Sequence, residues 1–192
     1  MRKSNLDVHH LIEDCISNNK RAQLKLYELY VKTMYNTCLR IVKDKMSAED
    51  IVQEAFLSAF LSMKDFRNEV PFEAWLRRIV INRSLDYCRK QKNALLEFSY
   101  DVADSDKLST TENEIVYDLE RREKLIQHIK DEMMLLPDGY RVIFSLFYFE
   151  GFDHEEIGQI MNISASTSRS QLTRAKQRII ENLNQKKDQD AG

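Results

Sequence analysis

Residues 154–180 read HEEIGQIMNISASTSRSQLTRAKQRII. The first eight residues have apolar side chains at helical spacing, NIS interrupts them, and a second periodic stretch runs over 164–184. Two helices joined by a three-residue turn have the spacing of a helix-turn-helix. Gly158 supplies a small residue where the second helix crosses the first. Asn162 sits where the turn needs left-handed backbone, which asparagine tolerates better than most residues. Asp153 is placed to cap the first helix. On the second helix Ala165, Leu172, Ala175, Ile179 and Leu183 form one apolar stripe. Ser166, Ser170, Thr173, Arg174 and Gln177 fall opposite, with Arg169 and Arg178 on the flanks. Such a face can hydrogen-bond base edges and meet phosphates. An ordinary amphipathic helix with a solvated basic face has the same pattern.

Working toward the N-terminus, the chain reads as helix throughout. Residues 139–149 are apolar and end near Gly151, and 116–135 form a helix stopped by Pro137. Before these lies SYDVADSDKLSTTENE, acidic, rich in Ser, Thr and Asp, and weakly periodic, which reads as a flexible linker over 93–117. Four more helices precede it: 5–18, 21–43, one opened by Ser47 with Asp50 three residues on, and 71–90 with Pro71 in its first turn. The expected fold class is all-α: two small helical domains, 1–92 and 118–192, joined by the acidic linker.

Composition excludes other classes. In 192 residues there are 4 Gly and 2 Pro, too few for a turn-rich sandwich or a glycine-rich phosphate loop. No apolar run reaches the roughly 20 residues of a membrane span, and MRKSNLDVHH has no apolar signal core. Stable membrane insertion is therefore not expected. Cys15, Cys38 and Cys88 are far apart and fit reduced core thiols in a cytosol. The four histidines form no metal-binding cluster, and no Ser/His/Asp order or nucleotide loop is present. Neither a metal, nor a cofactor, nor a catalytic residue is expected.

The net charge of -2 conceals a division. Residues 1–92 carry 17 Lys/Arg against 12 Asp/Glu, net +5; 93–117 carry 1 against 6, net -5; 118–192 carry 11 against 13, net -2. Two basic tracts, 77–92 and 164–187, each have six basic residues against one acidic. The acidic stretch between them weakens long-range attraction to DNA and is able to fold over either tract.

Two further constellations stand out. Arg78, Asn82, Arg89 and Lys92 lie in one stripe of the fourth helix, with Trp75 beside it and Phe66 in the loop ahead. Cations next to aromatic rings suit single-stranded nucleic acid; a core of Phe66, Phe72 and Trp75 with merely solvating arginines fits the residues equally. Asp50, Gln53 and Glu54 share the polar side of an otherwise apolar helix, which suits a protein contact or plain solvent.

SAEDIVQEAFLSAF, DFR, PFEAWLRRIVINRSLDYCRK and LPDGYRVIFSLFYFEGFDHEEIGQIMNISASTSRSQLTRAKQRI occur in this order and resemble a bacterial RNA polymerase sigma factor of the extracytoplasmic-function (ECF) group. The resemblance covers roughly 7–90 and 118–182. It implies a cytoplasmic protein that binds core RNA polymerase, recognises the -10 and -35 promoter elements and helps melt DNA, with no enzymatic activity of its own. By its motifs, Asp50, Gln53, Glu54 and Phe56 match the helix that docks on the clamp helices of the largest polymerase subunit. Phe66, Arg67, Asn68 and Glu69 match the loop that accepts a base flipped from the -10 element. Trp75, Arg77, Arg78, Asn82, Arg83 and Arg89 match the helix facing the melting duplex. Ser166, Thr167, Arg169, Ser170, Thr173, Arg174 and Lys176 match the helix entering the -35 major groove. The flap of the second-largest subunit, promoter DNA and an anti-sigma factor are the further partners the resemblance admits. Two positions depart from the family pattern. Ser168 stands on the buried stripe where an apolar residue is usual, and Gln171 replaces a commonly basic residue, which predicts looser packing and one phosphate contact fewer. A free-standing helix-turn-helix regulator and a helical adaptor without a DNA role are the alternatives from other classes.

Overall fold

The computed structural model describes residues 5–91 and 119–190. The acidic stretch 93–117, and with it the expectations about a flexible or masking linker, lies outside the described residues. So does Lys92.

The N-terminal half has four helices, α1 (Asn5–Ile16), α2 (Lys20–Val42), α3 (Lys45–Leu61) and α4 (Phe72–Gln91), with a 3-10 turn at Met63–Asp65. Each boundary has a local cause. The Asn19 side chain accepts from Arg21 N and Ala22 N, capping α2, and Lys43 in the left-handed region (φ 67°) ends it. The third helix starts earlier than the expected Ser47: Asp44 is the cap and accepts from Ser47 N at 2.7 Å, so Ser47 lies inside the first turn. Pro71 lies just ahead of α4, and its carbonyl accepts from Ala74 N and Trp75 N. Helix α2 is central, packed by α1, α3 and α4. Leu26, Met34, Cys38, Phe56, Met63, Leu76 and Val80 are buried around it.

The C-terminal half comprises α5 (Leu119–Leu135), α6 (Asp138–Tyr148), α7 (His154–Met161) and α8 (Ala165–Asp190). Asp153 and Glu156 form a complete capping box on α7, and Asn162 (φ 59°) turns the chain toward α8. Helix α8 packs on α5, α6 and α7 through Leu172, Ala175 and Ile179.

The N-terminal half keeps a core of its own, and a second core is shared between the halves. Ile41, Ile81 and Leu85 of the N-terminal half are buried in the same apolar cluster as Val142, Ile143 and Leu146. Arg141, 1% exposed, reaches from α6 to the C-terminal end of α2. It donates from Nε to the Arg40 carbonyl (2.9 Å) and from Nη2 to the Ile41 carbonyl (2.8 Å). Those carbonyls belong to the last turn of α2, where helical partners run out and the dipole is negative, so a guanidinium satisfies both needs. Asp138 lies 2.6 Å from its Nη1. Burial pulls the Arg141 pKa down to about 10, which leaves it charged at neutral pH.

Among the described residues no helix is long and apolar enough to cross a membrane, and no His/Cys/Asp/Glu group could hold a metal ion.

Candidate nucleic-acid interface

The helix-turn-helix is held by one close approach. A Cβ on Gly158 would lie 2.8 Å from the Ile163 carbonyl oxygen, so only glycine lets the turn close. Ser164 stands just ahead of α8; its Oγ accepts from Thr167 N at 3.0 Å. On the outer face Ser166, Arg169, Ser170 and Thr173 are exposed, and Thr167, Arg174 and Lys176 are partly exposed. Arg169 pairs with Glu155 at 2.7 Å, and Ser170 and Thr173 bond back to carbonyls of their own helix. All three contacts lie at the surface, where the ion pair contributes little to stability.

Both family departures point inward. Ser168 is fully buried, and its Oγ bonds His154 Nδ1 at 2.9 Å rather than its own helix. The His154 ring stacks on Phe147 at 5.0 Å. A polar pair thus fills the place of an apolar contact and ties α8 to the start of α7. Gln171 is 5% exposed, so this position faces the core and not a phosphate.

The second face is α4 with the loop before it. Asn68 (φ 60°) bends the loop, and Phe66, Phe72 and Trp75 form a ring cluster with centroids 5.1–5.7 Å apart. Phe72 is core; Phe66 and Trp75 are half-buried, each leaving part of its surface open. The rings are thus partly core and partly open surface. Arg67, Asn68 and Glu69 are exposed, as are Arg78, Asn82 and Arg89 along α4. Arg89 pairs with Asp86 at 2.9 Å, and Arg83 with Glu54 at 3.1 Å. The last pair joins two residues expected to serve different partners.

On α3, Asp50, Gln53 and Glu54 are exposed, with Leu57 and Leu61 beyond them. Phe56 is not part of this surface. It is 2% exposed and packs against Tyr27 at 4.8 Å, so its role is to seat α3. A groove beside α3 is lined by Tyr27, Val31, Tyr35, Glu49, Val52 and Gln53.

Three residues, Arg40, Arg141 and Glu150, escaped the sequence reading. Arg77, Phe66 and Trp75 line a cleft of about 510 Å³ whose opposite wall is Glu150, Gly151, Phe152 and Glu156 from the C-terminal half. The Glu150 side chain is 2% exposed and lies 2.5 Å from Arg40 Nη2 and 3.2 Å from Arg77 Nε. Arg40 also stacks on Phe149 at 4.7 Å and donates to Ser145 Oγ. Arg77 further pairs with Glu73 one turn back. Arg40, Arg141 and Glu150 look like surface residues in the sequence. The one available signal was an arginine directly ahead of the apolar run VIFSLF with an aspartate three residues before it.

Residues 26–94 match Sigma-70 region 2 and residues 127–179 match Sigma-70, region 4. The chain is 31% identical over 160 residues to the ECF RNA polymerase sigma factor SigM of Bacillus subtilis, covering 81% of this chain and 91% of that protein. Over 170 residues it is 30% identical to SigW of the same organism, covering 82% and 87%. Among solved structures it resembles CnrH in complex with the cytosolic domain of CnrY (TM-score 0.53, 20% identity, covering 91% and 95%). It also resembles the sigma factor RpoE in complex with the anti-sigma factor NepR from Bartonella quintana (TM-score 0.54, 22% identity, covering 83% and 95%). At those identities the structural likeness establishes the fold.

Proposed function

Because this chain belongs to the ECF sigma factors of RNA polymerase, non-enzymatic proteins that direct the polymerase to promoters and start transcription, we propose which of its surfaces does each part of that work. The boundaries 1–92, 93–117 and 118–192 divide the labour. The exposed Asp50, Gln53 and Glu54 of α3 dock on the clamp helices of the largest polymerase subunit, with Leu57 and Leu61 adding apolar area. The C-terminal half meets the flap of the second-largest subunit. Phe66, Arg67, Asn68 and Glu69 receive an unpaired base of the -10 element, and Trp75, Arg77, Arg78, Asn82, Arg83 and Arg89 follow the strand. Ser166, Thr167, Arg169, Ser170, Thr173, Arg174 and Lys176 read and hold the -35 duplex.

The observation that carries this assignment is the contrast between the two basic faces. On α8 the polar side is a helix ridge without aromatic side chains, which fits a major groove. On α4 the exposed Arg78–Asn82–Arg89 row runs beside the half-open rings of Phe66 and Trp75, which fits bases that have left the stack. An anti-sigma factor is a fitting regulator, since two relatives of this fold are bound by such partners or by a cytosolic domain in their solved structures.

The test is transcription by purified core polymerase with this chain on a library of randomised promoters. The enriched templates should share two separated elements. Arg174→Ala should relax the upstream element at one base position, at a cost of about 1–3 kcal/mol there. If the upstream element keeps its full sequence with Arg174→Ala, α8 has been given the wrong role.

A further inference from the structure

His154 opens α7, and its ring is held by the helices on either side. Nδ1 lies 2.9 Å from the Ser168 hydroxyl on α8, and the ring stacks on Phe147 of α6 with centroids 5.0 Å apart. Ser168 is fully buried. The exposed Ser170 and Thr173 return their hydroxyls to carbonyls of their own helix, whereas His154 is the one side-chain partner of Ser168 among the described residues. A buried hydroxyl proton needs an acceptor, and Nδ1 is the one in reach, so Ser168 donates to Nδ1. That assigns the tautomer: the ring proton sits on Nε2. Nε2 has no hydrogen-bond partner among the described residues and is not buried. An oriented donor is thus left open at the surface.

The place of this donor follows from α8. Glu155, beside His154, lies 2.7 Å from Arg169 on the ridge assigned to the -35 duplex. A helix with its side chains is about 10–12 Å across and a major groove about 12 Å wide, so the ridge fills the groove. The helix packed beside that ridge stands over the edge of the groove, which is lined by phosphates. We propose that His154 Nε2 donates to one backbone phosphate of the -35 element, and that Ser168 is the positioning residue that keeps the ring turned toward it. The inference rests on the assignment of α8 to that duplex. Ser168, which stands where an apolar residue is usual, thereby gains a role: without its hydroxyl, Nδ1 loses its partner and the ring is free to turn or to change tautomer. The carboxylates around the start of α7 are engaged elsewhere. Asp153 and Glu156 accept from each other's backbone N–H, and Glu155 pairs with Arg169. A phosphate contact fixes register and carries no sequence information. His154 therefore sets how α8 lies in the groove, while Arg174 and its neighbours read the bases.

The experiment uses holoenzyme, the full chain on core polymerase, with a duplex promoter selected from the randomised library and held at a temperature that keeps the -10 region paired. Each phosphate of the -35 element is replaced singly by an uncharged methylphosphonate. Anisotropy of the labelled promoter gives the affinity of wild type, His154→Phe and Ser168→Ala. Phenylalanine keeps a ring against Phe147 and removes both nitrogens. In wild type, one methylphosphonate at the edge of the element should weaken binding about tenfold, the worth of a hydrogen bond to a charged group. His154→Phe should lose about as much on unmodified DNA and be indifferent to that one replacement, while the other positions respond as in wild type. Ser168→Ala should blunt the response at the same phosphate with the base preference at Arg174 intact. A merely structural His154 would weaken binding without silencing any single phosphate. Equal responses of wild type and His154→Phe at every position would therefore overturn the contact, and an undiminished response in Ser168→Ala would remove its positioning role. Melting temperatures are measured alongside. If His154→Phe melts early, the double variant with Ser168→Ala, which leaves no orphaned hydroxyl, takes its place. A failure of the α8 assignment looks different: no methylphosphonate in the upstream element weakens wild type, and Arg174→Ala keeps the full sequence preference.

Discussion

Ser168 illustrates how a departure from a family pattern resolves at the level of one atom. Its hydroxyl is buried, and in α8 alone it would weaken the stripe. His154 Nδ1 completes it, so the helix-turn-helix keeps a satisfied polar pair in place of a methyl contact. Ser168→Ala should therefore destabilise the chain by about 1 kcal/mol. Combined with His154→Ala it should show clear coupling in a urea-denaturation double-mutant cycle; strict additivity would deny the contact. Cys15 and Cys38 follow the expectation of core thiols, whereas Cys88 is only half-buried. Burial, foremost, pushes Cys15 and Cys38 up to about 11. At pH 7–8 both are almost wholly thiol, and the thiolate is the nucleophile. Native protein should alkylate at Cys15 and Cys38 only slowly, with fast reaction in urea; mass spectrometry of the modified peptides checks this.

Helices were legible in the sequence because their period and punctuation agree. The Asp153 cap of α7, the left-handed Asn162 and the turn between α7 and α8 stand where DHEEIGQIMNIS places them, and Glu156 completes the cap as a capping box. The third helix shows the limit of such reading. KDKMSAED offers both Asp44 and Ser47 as caps, and the hydrogen bond from Ser47 N to Asp44 decides for the earlier one. Phe56 shows a second limit. It shares a motif with Asp50, Gln53 and Glu54 but faces the opposite side of the helix, into Tyr27. Two predictions belong to single elements. Gly158→Ala forces a methyl to within 2.8 Å of the Ile163 carbonyl and should cost about 1–3 kcal/mol, with loss of -35 duplex binding; a melting curve and a binding isotherm measure both. Charge reversal of Asp50 and Glu54 should lower affinity for core polymerase several-fold while helicity stays intact. The Glu54–Arg83 pair is exposed and contributes little to folding. Unchanged capture of core enzyme would remove α3 from the docking surface.

At the scale of the whole molecule the sequence announced two helical halves and two basic faces, but not their contact. Helical periodicity reports which side of a helix is apolar, and not which partner covers it. Ile41, Ile81 and Leu85 belong to helices of the N-terminal half, yet they are buried in one cluster with residues of α6. Arg141 and Glu150 carry no periodic signal at all, since a buried charge is defined by its partners across the fold. The central claim is that α8 acts on duplex DNA while the Phe66–Asn82 surface acts on DNA that has opened. It is tested most directly by transcription with Arg174→Ala, Asn82→Ala and Phe66→Ala on matched duplex and pre-melted -10 templates, each variant first checked by its melting temperature. The pre-melted template should restore much of the transcription lost by Asn82→Ala and Phe66→Ala and leave Arg174→Ala impaired. Equal rescue of all three, at unchanged melting temperatures, would contradict the division of labour.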